Sequence, residues 1–147
     1  MNQSSVEKQL NEITGALAKM PEVNTVYLYG SYAKGDTVNS SDIDVGVQLD
    51  PDHTKDPRYL YNLLSEKESL VQGKKLDAYV INDMSPLFRF NVIYHRKILF
   101  CRDNEKRVDF ELKTRRDYED YMPFYNYRAE MAVKEAKRRL NNGPASR

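Results

Sequence analysis

Two aspartates separated by one residue are the part of this sequence whose chemistry is easiest to read. Asp42 and Asp44 open an apolar run, Val45-Gly46-Val47, that is typical of a β-strand. Residues i and i+2 of a strand point to the same face, so the two carboxylates are expected to lie side by side. Two such carboxylates repel each other unless a cation lies between them. Magnesium commonly binds one or two carboxylates together with substrate phosphates. The pair therefore predicts magnesium-dependent chemistry on a phosphate-bearing substrate.

A glycine-serine step precedes the aspartates. Gly30 and Ser31 follow the apolar run over residues 25–29. Glycine has no Cβ, which lets a bulky phosphate approach the backbone. Ser31 adds a hydroxyl and, if a helix begins there, a backbone N–H at a helix N-terminus, where anions bind well. Residues 29–46 thus read as one half that holds phosphate and one half that holds metal.

The hydrophobic pattern predicts the elements that must position these residues. Ser4 is a candidate N-cap for an amphipathic helix that ends before Pro21. Strands are predicted over residues 24–29, 42–49 and 74–81, a helical turn over 31–35, helices over 56–73 and after Ser85, and a strand or buried loop over 97–101.

The last part of the chain reads as helical from residue 103 to residue 140. Pro123 should break or kink this helix, because proline lacks the backbone N–H that a helix interior needs. An aromatic group surrounds it: Tyr118, Tyr121, Phe124, Tyr125 and Tyr127. Aromatics of this kind are enriched at protein interfaces, but they could equally pack the segment onto its own sheet. The residues alone leave both interpretations open.

Composition restricts the class of protein. The sequence has 147 residues, which fits one domain, and its net charge of +1 lacks the basic excess of a general nucleic-acid-binding protein. The single Cys101 cannot form an internal disulfide and fits a reducing compartment. No apolar stretch approaches the roughly 20 residues of a membrane span, and the N-terminus does not resemble a signal peptide. We expect a cytoplasmic protein with no membrane and no direct nucleic-acid partner.

The spacing of the two motifs resembles a known signature. Gly30-Ser31 followed by Asp42-x-Asp44 resembles that of the DNA polymerase beta-like nucleotidyltransferase superfamily. The fuller form, Gly-Ser-Tyr-Ala-Lys-Gly-Asp and then Ser-Asp-Ile-Asp, is similar to the minimal nucleotidyltransferase (MNT) antitoxins of HEPN/MNT toxin–antitoxin systems. The likeness covers roughly residues 25–103. Lys34 departs from the usual Arg, which loses bidentate phosphate binding but keeps the charge, and Val45 replaces a larger aliphatic residue.

The resemblance implies a fold and a domain plan. The fold is α/β (α+β), with a small mixed β-sheet flanked by helices and a C-terminal helical segment. The whole chain, residues 1–147, is expected to form one minimal nucleotidyltransferase domain. Its core would span about residues 5–103 and its helical extension about residues 104–141.

The resemblance also implies a third acid. Taken alone, Asp77 is best explained as an edge-strand or loop charge in an otherwise apolar run, because buried acids are rare. In nucleotidyltransferases of this type a third carboxylate comes from a neighbouring strand, and Asp77 occupies the matching place. The implied catalytic residues and ligands of two Mg²⁺ ions are Asp42, Asp44 and Asp77, and the implied ATP-phosphate-binding residues are Gly30, Ser31, Lys34 and Ser41.

The activity implied is transfer of AMP from ATP to a tyrosine of a partner HEPN ribonuclease toxin, which silences the toxin. Asp77 would accept the proton of the attacking hydroxyl. Two alternatives stay open. One is an antitoxin that blocks its toxin sterically and uses the nucleotide pocket weakly or not at all. The other is an aminoglycoside-type enzyme acting on a small molecule, which would need a second, acceptor-binding half.

Overall fold

The computed structural model describes residues 3–30, 43–52 and 76–142 of the chain. In chain order the elements are α1 (Gln3–Ala18), β1 (Val23–Tyr29), β2 (Ile43–Leu49), β3 (Leu76–Val80), α2 (Pro86–Tyr94), β4 (Lys97–Cys101) and α3 (Asn104–Asn142). The predicted helical turn over 31–35 and helix over 56–73 lie outside the described residues. Helix α1 begins at Gln3 and includes Ser4, so the prediction that Ser4 caps the helix was wrong.

The four strands form one mixed sheet in the order β3-β2-β1-β4. Strand β1 lies at the centre and pairs antiparallel with both β2 and β4. Strand β2 pairs parallel with β3. The mixed sheet flanked by helices and the long C-terminal helix confirm the predicted fold class, and residues 97–101 are a strand of this sheet.

Side chains alternate between the two faces of the sheet, and each face packs on different helices. Helix α1 covers one face with apolar residues at helical spacing. The core on this side contains Leu10, Ile13, Leu17, Val26, Leu28, Ile43, Val45 and Val47. A smaller cluster on the other face contains Tyr27, Ile81 and Val92, with Tyr29, Tyr79, Met84, Phe88 and Phe110 packed against it. Helices α2 and α3 therefore cover the second face.

A buried arginine joins α2 to α3. Ser85 caps α2 by accepting a hydrogen bond from the Phe88 N–H at 3.2 Å. One turn further on, the Arg89 guanidinium donates to the Met84 carbonyl at 2.9 Å, to the Thr114 hydroxyl at 3.4 Å and to Asp117 at 3.2 Å. Thr114 is fully buried, so the bond from Arg89 satisfies a hydroxyl that water cannot reach.

The start of α3 is tied to the sheet. The Asn24 side chain accepts a hydrogen bond from the Asp103 N–H at 3.1 Å and donates to the Asp103 carbonyl at 3.2 Å. Lys106 Nζ lies 2.7 Å from Asp50 Oδ2, just past the end of β2. The direction in which α3 leaves the sheet is therefore set by contacts within its first turn.

The sequence predicts a break or a kink at Pro123, and the break is wrong, because helix α3 continues through Pro123 to Asn142. Proline removes one helix hydrogen bond, which would otherwise reach the Glu119 carbonyl, and the exposed turn around it remains helical. The helix has 39 residues and a length of about 58 Å. Beyond residue 118 its side chains are exposed or half-buried. Despite its length α3 is polar, and none of the described helices has the apolar character that crossing a membrane demands.

The Arg89 cluster yields a stability prediction. Arg89→Leu should lower the free energy of unfolding by about 2 kcal/mol, because it leaves buried acceptors without a donor. The matched control is Arg138→Leu, since Arg138 pairs with Glu135 on the surface, where water screens the interaction. The measurement is urea unfolding of both variants. Equal losses would contradict the role given to Arg89.

Candidate active site

Two of the candidate acids, Asp44 and Asp77, occupy paired positions near where β1 ends and where β2 and β3 begin. Asp44 pairs with Tyr29 across β1 and β2, and it pairs with Asp77 across the parallel strands β2 and β3. Paired positions on neighbouring strands share one face of a sheet. Asp77 thus occupies the position next to Asp44 on the adjacent strand. Two residues that bind the same metal ion must lie this close together.

The Asp44 carboxylate belongs to the α2 side of the sheet. Two residues further along β2, a Cβ built on Gly46 would lie 3.2 Å from both Ile81 Cγ2 and Val92 Cγ1. Asp44 shares that face, because side chains repeat every second residue. Ile43 and Val45 are fully buried on the α1 side, whereas Asp44 is only half-buried. A ligand can therefore reach the carboxylate while its neighbours hold the strand.

Gly30 has a structural reason to be glycine that the sequence analysis did not find. Its φ is +80°, a left-handed conformation that side chains rarely adopt. A Cβ at this position would also collide with Asp44 Oδ2. The contact with Asp44 is thus a second reason for glycine at this position. The expected approach of phosphate to the Gly30 backbone stays a prediction.

The other site assignments stay predictions. Ser31, Lys34, Ser41 and Asp42 lie outside the described residues, and Asp77 is placed only by its strand register. Among the side chains that the structure describes, no three metal-ligating residues form a group. The predicted ligand set, Asp42, Asp44 and Asp77, is mostly outside that search. Its chemistry fits magnesium, which prefers hard oxygen donors.

Three aromatic rings flank the acid positions on the same face. Phe88 of α2 lies between Tyr29 and Tyr79, with ring centroids 6.1 Å and 5.9 Å away and both ring planes inclined at 76°. Such edge-to-face pairs contribute about 0.5–1.5 kcal/mol each beyond area burial. The rings brace the strand ends that carry Asp44 and Asp77. These rings were not predicted from the sequence, although the two-residue step from Asp77 to Tyr79 implies that both positions share a face.

A second polar group lies deeper on this face. Tyr27 is fully buried, and its hydroxyl donates to Glu111 of α3 at 3.4 Å. Glu111 in turn pairs with Arg96 at 2.9 Å and with Arg107 at 2.7 Å. Burial, and then the charge of Glu111, hold the pKa of the Tyr27 phenol well above its usual range. The phenol therefore remains a neutral donor that fastens β1 to α3.

Comparison with protein families gives a match over more than half of the chain. The family model described as "Polymerase beta, Nucleotidyltransferase" matches residues 11–105. No match was found among curated proteins.

Solved structures share the fold. A toxin–antitoxin crystal structure with AMP-PNP is 21% identical, with 90% of this chain and 99% of that chain covered and a TM-score of 0.67. An MNT antitoxin in complex with a tri-AMPylated HEPN toxin from Shewanella oneidensis is 20% identical, with 86% and 98% covered and a TM-score of 0.68. An MntA–HepT toxin–antitoxin structure is 20% identical, with 86% and 98% covered and a TM-score of 0.67. At these identities the similarity establishes the fold.

The contact between Gly30 and Asp44 yields a paired prediction. Gly30→Ala should lower the free energy of unfolding by about 1–2 kcal/mol or more, because the left-handed backbone is strained and the new methyl displaces a carboxylate. Gly15→Ala is the matched control. A Cβ at Gly15, inside α1, meets no atom within 4 Å, so this change should raise stability by about 0.5–1 kcal/mol. Thermal unfolding of both variants makes the comparison. A stabilised Gly30→Ala variant would contradict the geometry.

Proposed function

This chain belongs to the polymerase beta family of nucleotidyltransferases, and from that premise we propose that it is an antitoxin enzyme. It transfers AMP from ATP to a tyrosine of a partner HEPN ribonuclease toxin and thereby neutralises the toxin. Complexes of MNT antitoxins with HEPN toxins among the structures of the same fold, one with a tri-AMPylated toxin, support the choice of partner and acceptor. The expected compartment is the cytoplasm.

The observation that carries this proposal is the pairing of Asp44 with Asp77 across the parallel strands, beside the close contact of Gly30 with Asp44. An acid on each of two neighbouring strands, next to a glycine at the end of a third element, is an arrangement suited to a polyphosphate substrate. A purely steric antitoxin would have no use for a half-exposed acid in this position.

The proposed reaction is a single displacement at phosphorus. The phenol oxygen of the toxin's tyrosine attacks the α-phosphorus of ATP, the bond from that phosphorus to the bridging oxygen breaks, and pyrophosphate leaves. The phenol proton passes to the Asp77 carboxylate, which acts as general base. AMP remains on the toxin through a phosphodiester bond. The protein contributes mainly position and charge, since it forms no covalent intermediate.

The metal ligands in this proposal are Asp42, Asp44 and Asp77, which would hold two Mg²⁺ ions. Magnesium bound there supplies the positive charge that offsets the triphosphate and eases deprotonation of the attacking hydroxyl. Because Gly30 has no Cβ, the carboxylate of Asp44 can lie against the backbone at the end of β1.

The phosphate-binding residues in this proposal are Gly30, Ser31, Lys34 and Ser41. Ser31 and Ser41 offer hydroxyl donors, and Lys34 adds a positive charge that suits the leaving pyrophosphate. These residues bind the part of ATP that departs, so they should serve any acceptor equally. The choice of acceptor must come from the partner that presents it.

The acids yield a prediction about turnover. Asp44→Asn and Asp42→Asn should reduce transfer to background, because a neutral amide holds magnesium poorly. Asp77→Asn should lower kcat by about 10²–10⁴-fold and leave ATP affinity nearly unchanged, because loss of a general base affects the chemical step. The matched control is Asp83→Asn, an exposed aspartate in the turn after β3, which should transfer normally. Normal turnover in Asp44→Asn, or a selective loss of ATP affinity in Asp77→Asn, would refute these roles.

One assay separates the proposal from its alternatives. The purified protein is mixed with its partner toxin, magnesium and ATP labelled at the α-phosphate. Label on the toxin is the expected result, and it should disappear when the acceptor tyrosine is changed to Phe. A tight complex without label would identify a steric antitoxin, and labelling of a small molecule without any partner would identify an aminoglycoside-type enzyme.

A further inference from the structure

One face of α3 carries a regular stripe that is independent of the candidate active site. Ten positions alternate in steps of four and three residues: Val108, Leu112, Arg115, Glu119, Met122, Asn126, Ala129, Val133, Ala136 and Leu140. Each pair of consecutive steps spans seven residues, which is the heptad spacing of a coiled-coil seam, with most positions apolar and a few polar. We call these ten positions the α3 seam.

The α3 seam faces solvent along most of its length. Leu112 is 56% exposed, Val133 is 52% exposed and Leu140 is 81% exposed. Beyond residue 118 the helix leaves the sheet behind, so the rest of the described chain does not cover these side chains. A long apolar stripe on a helix that projects from its domain indicates a surface that a second helix covers.

A cavity of about 480 Å³ adjoins the inner end of the α3 seam. It opens between α2 and α3, beside the stacked rings of Phe90 and Tyr118, whose centroids are 3.8 Å apart. Its apolar lining includes Ile93, Tyr94, Val108 and Leu112. An apolar side chain from a covering helix can fill this space.

Charged residues beside the α3 seam favour a second copy of α3 as the helix that covers it. In an antiparallel pair of two α3 helices with Val108 opposite Leu140, the flanking residues meet in fixed combinations. Asp109 then lies opposite Lys137 of the other copy, and Arg116 lies opposite Glu130. Both combinations join opposite charges, and the two-fold axis repeats each of them.

The polar positions within the α3 seam exclude the parallel arrangement. A parallel pair in register would place Arg115 against Arg115 and Glu119 against Glu119 of the second copy, so like charges would face each other in the interface. The antiparallel pair instead places Arg115 opposite Val133 and Glu119 opposite Ala129. Each charged group then has only an apolar neighbour across the seam, and it keeps its ion pair within its own helix, where Arg115 Nε lies 3.3 Å from Glu119.

We propose that α3 pairs antiparallel with α3 of a second copy of this chain, over residues 108–140. The paired length is about 50 Å. Leu140, the most exposed of the large apolar side chains, enters the cavity beside Val108 and Leu112 of the other copy.

The first test is the mass of the full chain, measured by sedimentation equilibrium over a range of concentrations. The expected mass is that of two chains. Val133→Lys should raise the dissociation constant by at least about a hundredfold, because it places a second positive charge opposite Arg115 of the other copy. The matched control is Tyr127→Lys, since Tyr127 is 60% exposed but does not belong to the α3 seam. A monomer at every concentration, or equal effects of both substitutions, would overturn the proposal.

The second test addresses orientation by charge reversal. Asp109→Lys with Arg116→Glu should weaken pairing, and so should Glu130→Lys with Lys137→Glu, since each set brings like charges together. A chain that carries all four substitutions should recover most of the affinity, because the combinations are again opposite in sign. Failure to recover would overturn the antiparallel register.

A third measurement asks whether a different partner covers the α3 seam. If the free chain were monomeric and Val133→Lys abolished binding to the toxin, the surface would belong to the toxin and the second-copy proposal would be wrong. These readouts are masses and affinities, so they do not depend on nucleotidyl transfer. Loss of transfer in the acid variants would leave the dimer test unaffected.

Discussion

Backbone pairing along β2 is the constraint on which the candidate site depends. This strand is antiparallel to β1 and parallel to β3, and it brings Tyr29, Asp44 and Asp77 into one row across the sheet. A slip of one residue would turn Asp44 into the α1 core and would bring Val45 to the half-exposed face. Such a slip is prevented because Ile43 and Val45 are completely buried beneath α1. The apolar residues that alternate with the acid therefore determine where its charge lies.

One face of the sheet contributes mainly to stability, and the other face orients the elements that carry the acids. The α1 face is closed by aliphatic side chains. The α2 and α3 face carries aromatic rings, the buried Tyr27 phenol and the Glu111 ion pairs. Polar contacts of fixed geometry orient elements more narrowly than aliphatic packing does. This face is where the strand ends with the acids must be held, and it is also where α3 is attached.

Period-two alternation was enough to predict β1, β2 and the location of Asp44, because one apolar face is a local property of a strand. The prediction that Asp77 lies next to Asp44 needed a family resemblance, because the residues of a strand do not determine which strand pairs with it. The roles of Phe88 and Arg89 could not be foreseen, because their partners lie on other elements. The helix does not break at Pro123, because the proline's local preference against a helix interior is outweighed by the helical residues on both sides. Gly30 was singled out from the sequence as a phosphate-binding residue, but its contact with Asp44 depends on register, which only the folded chain specifies.

The collision that a Cβ at Gly30 would have with Asp44 also constrains the order in which these two positions can change during evolution. A side chain can enter position 30 easily only after position 44 has lost its carboxylate. Once that has happened, restoring the aspartate alone would recreate the collision, so position 30 would first have to return to glycine. A lineage that lost the acid and then gained a side chain at position 30 could regain the chemistry only through these substitutions in the reverse order.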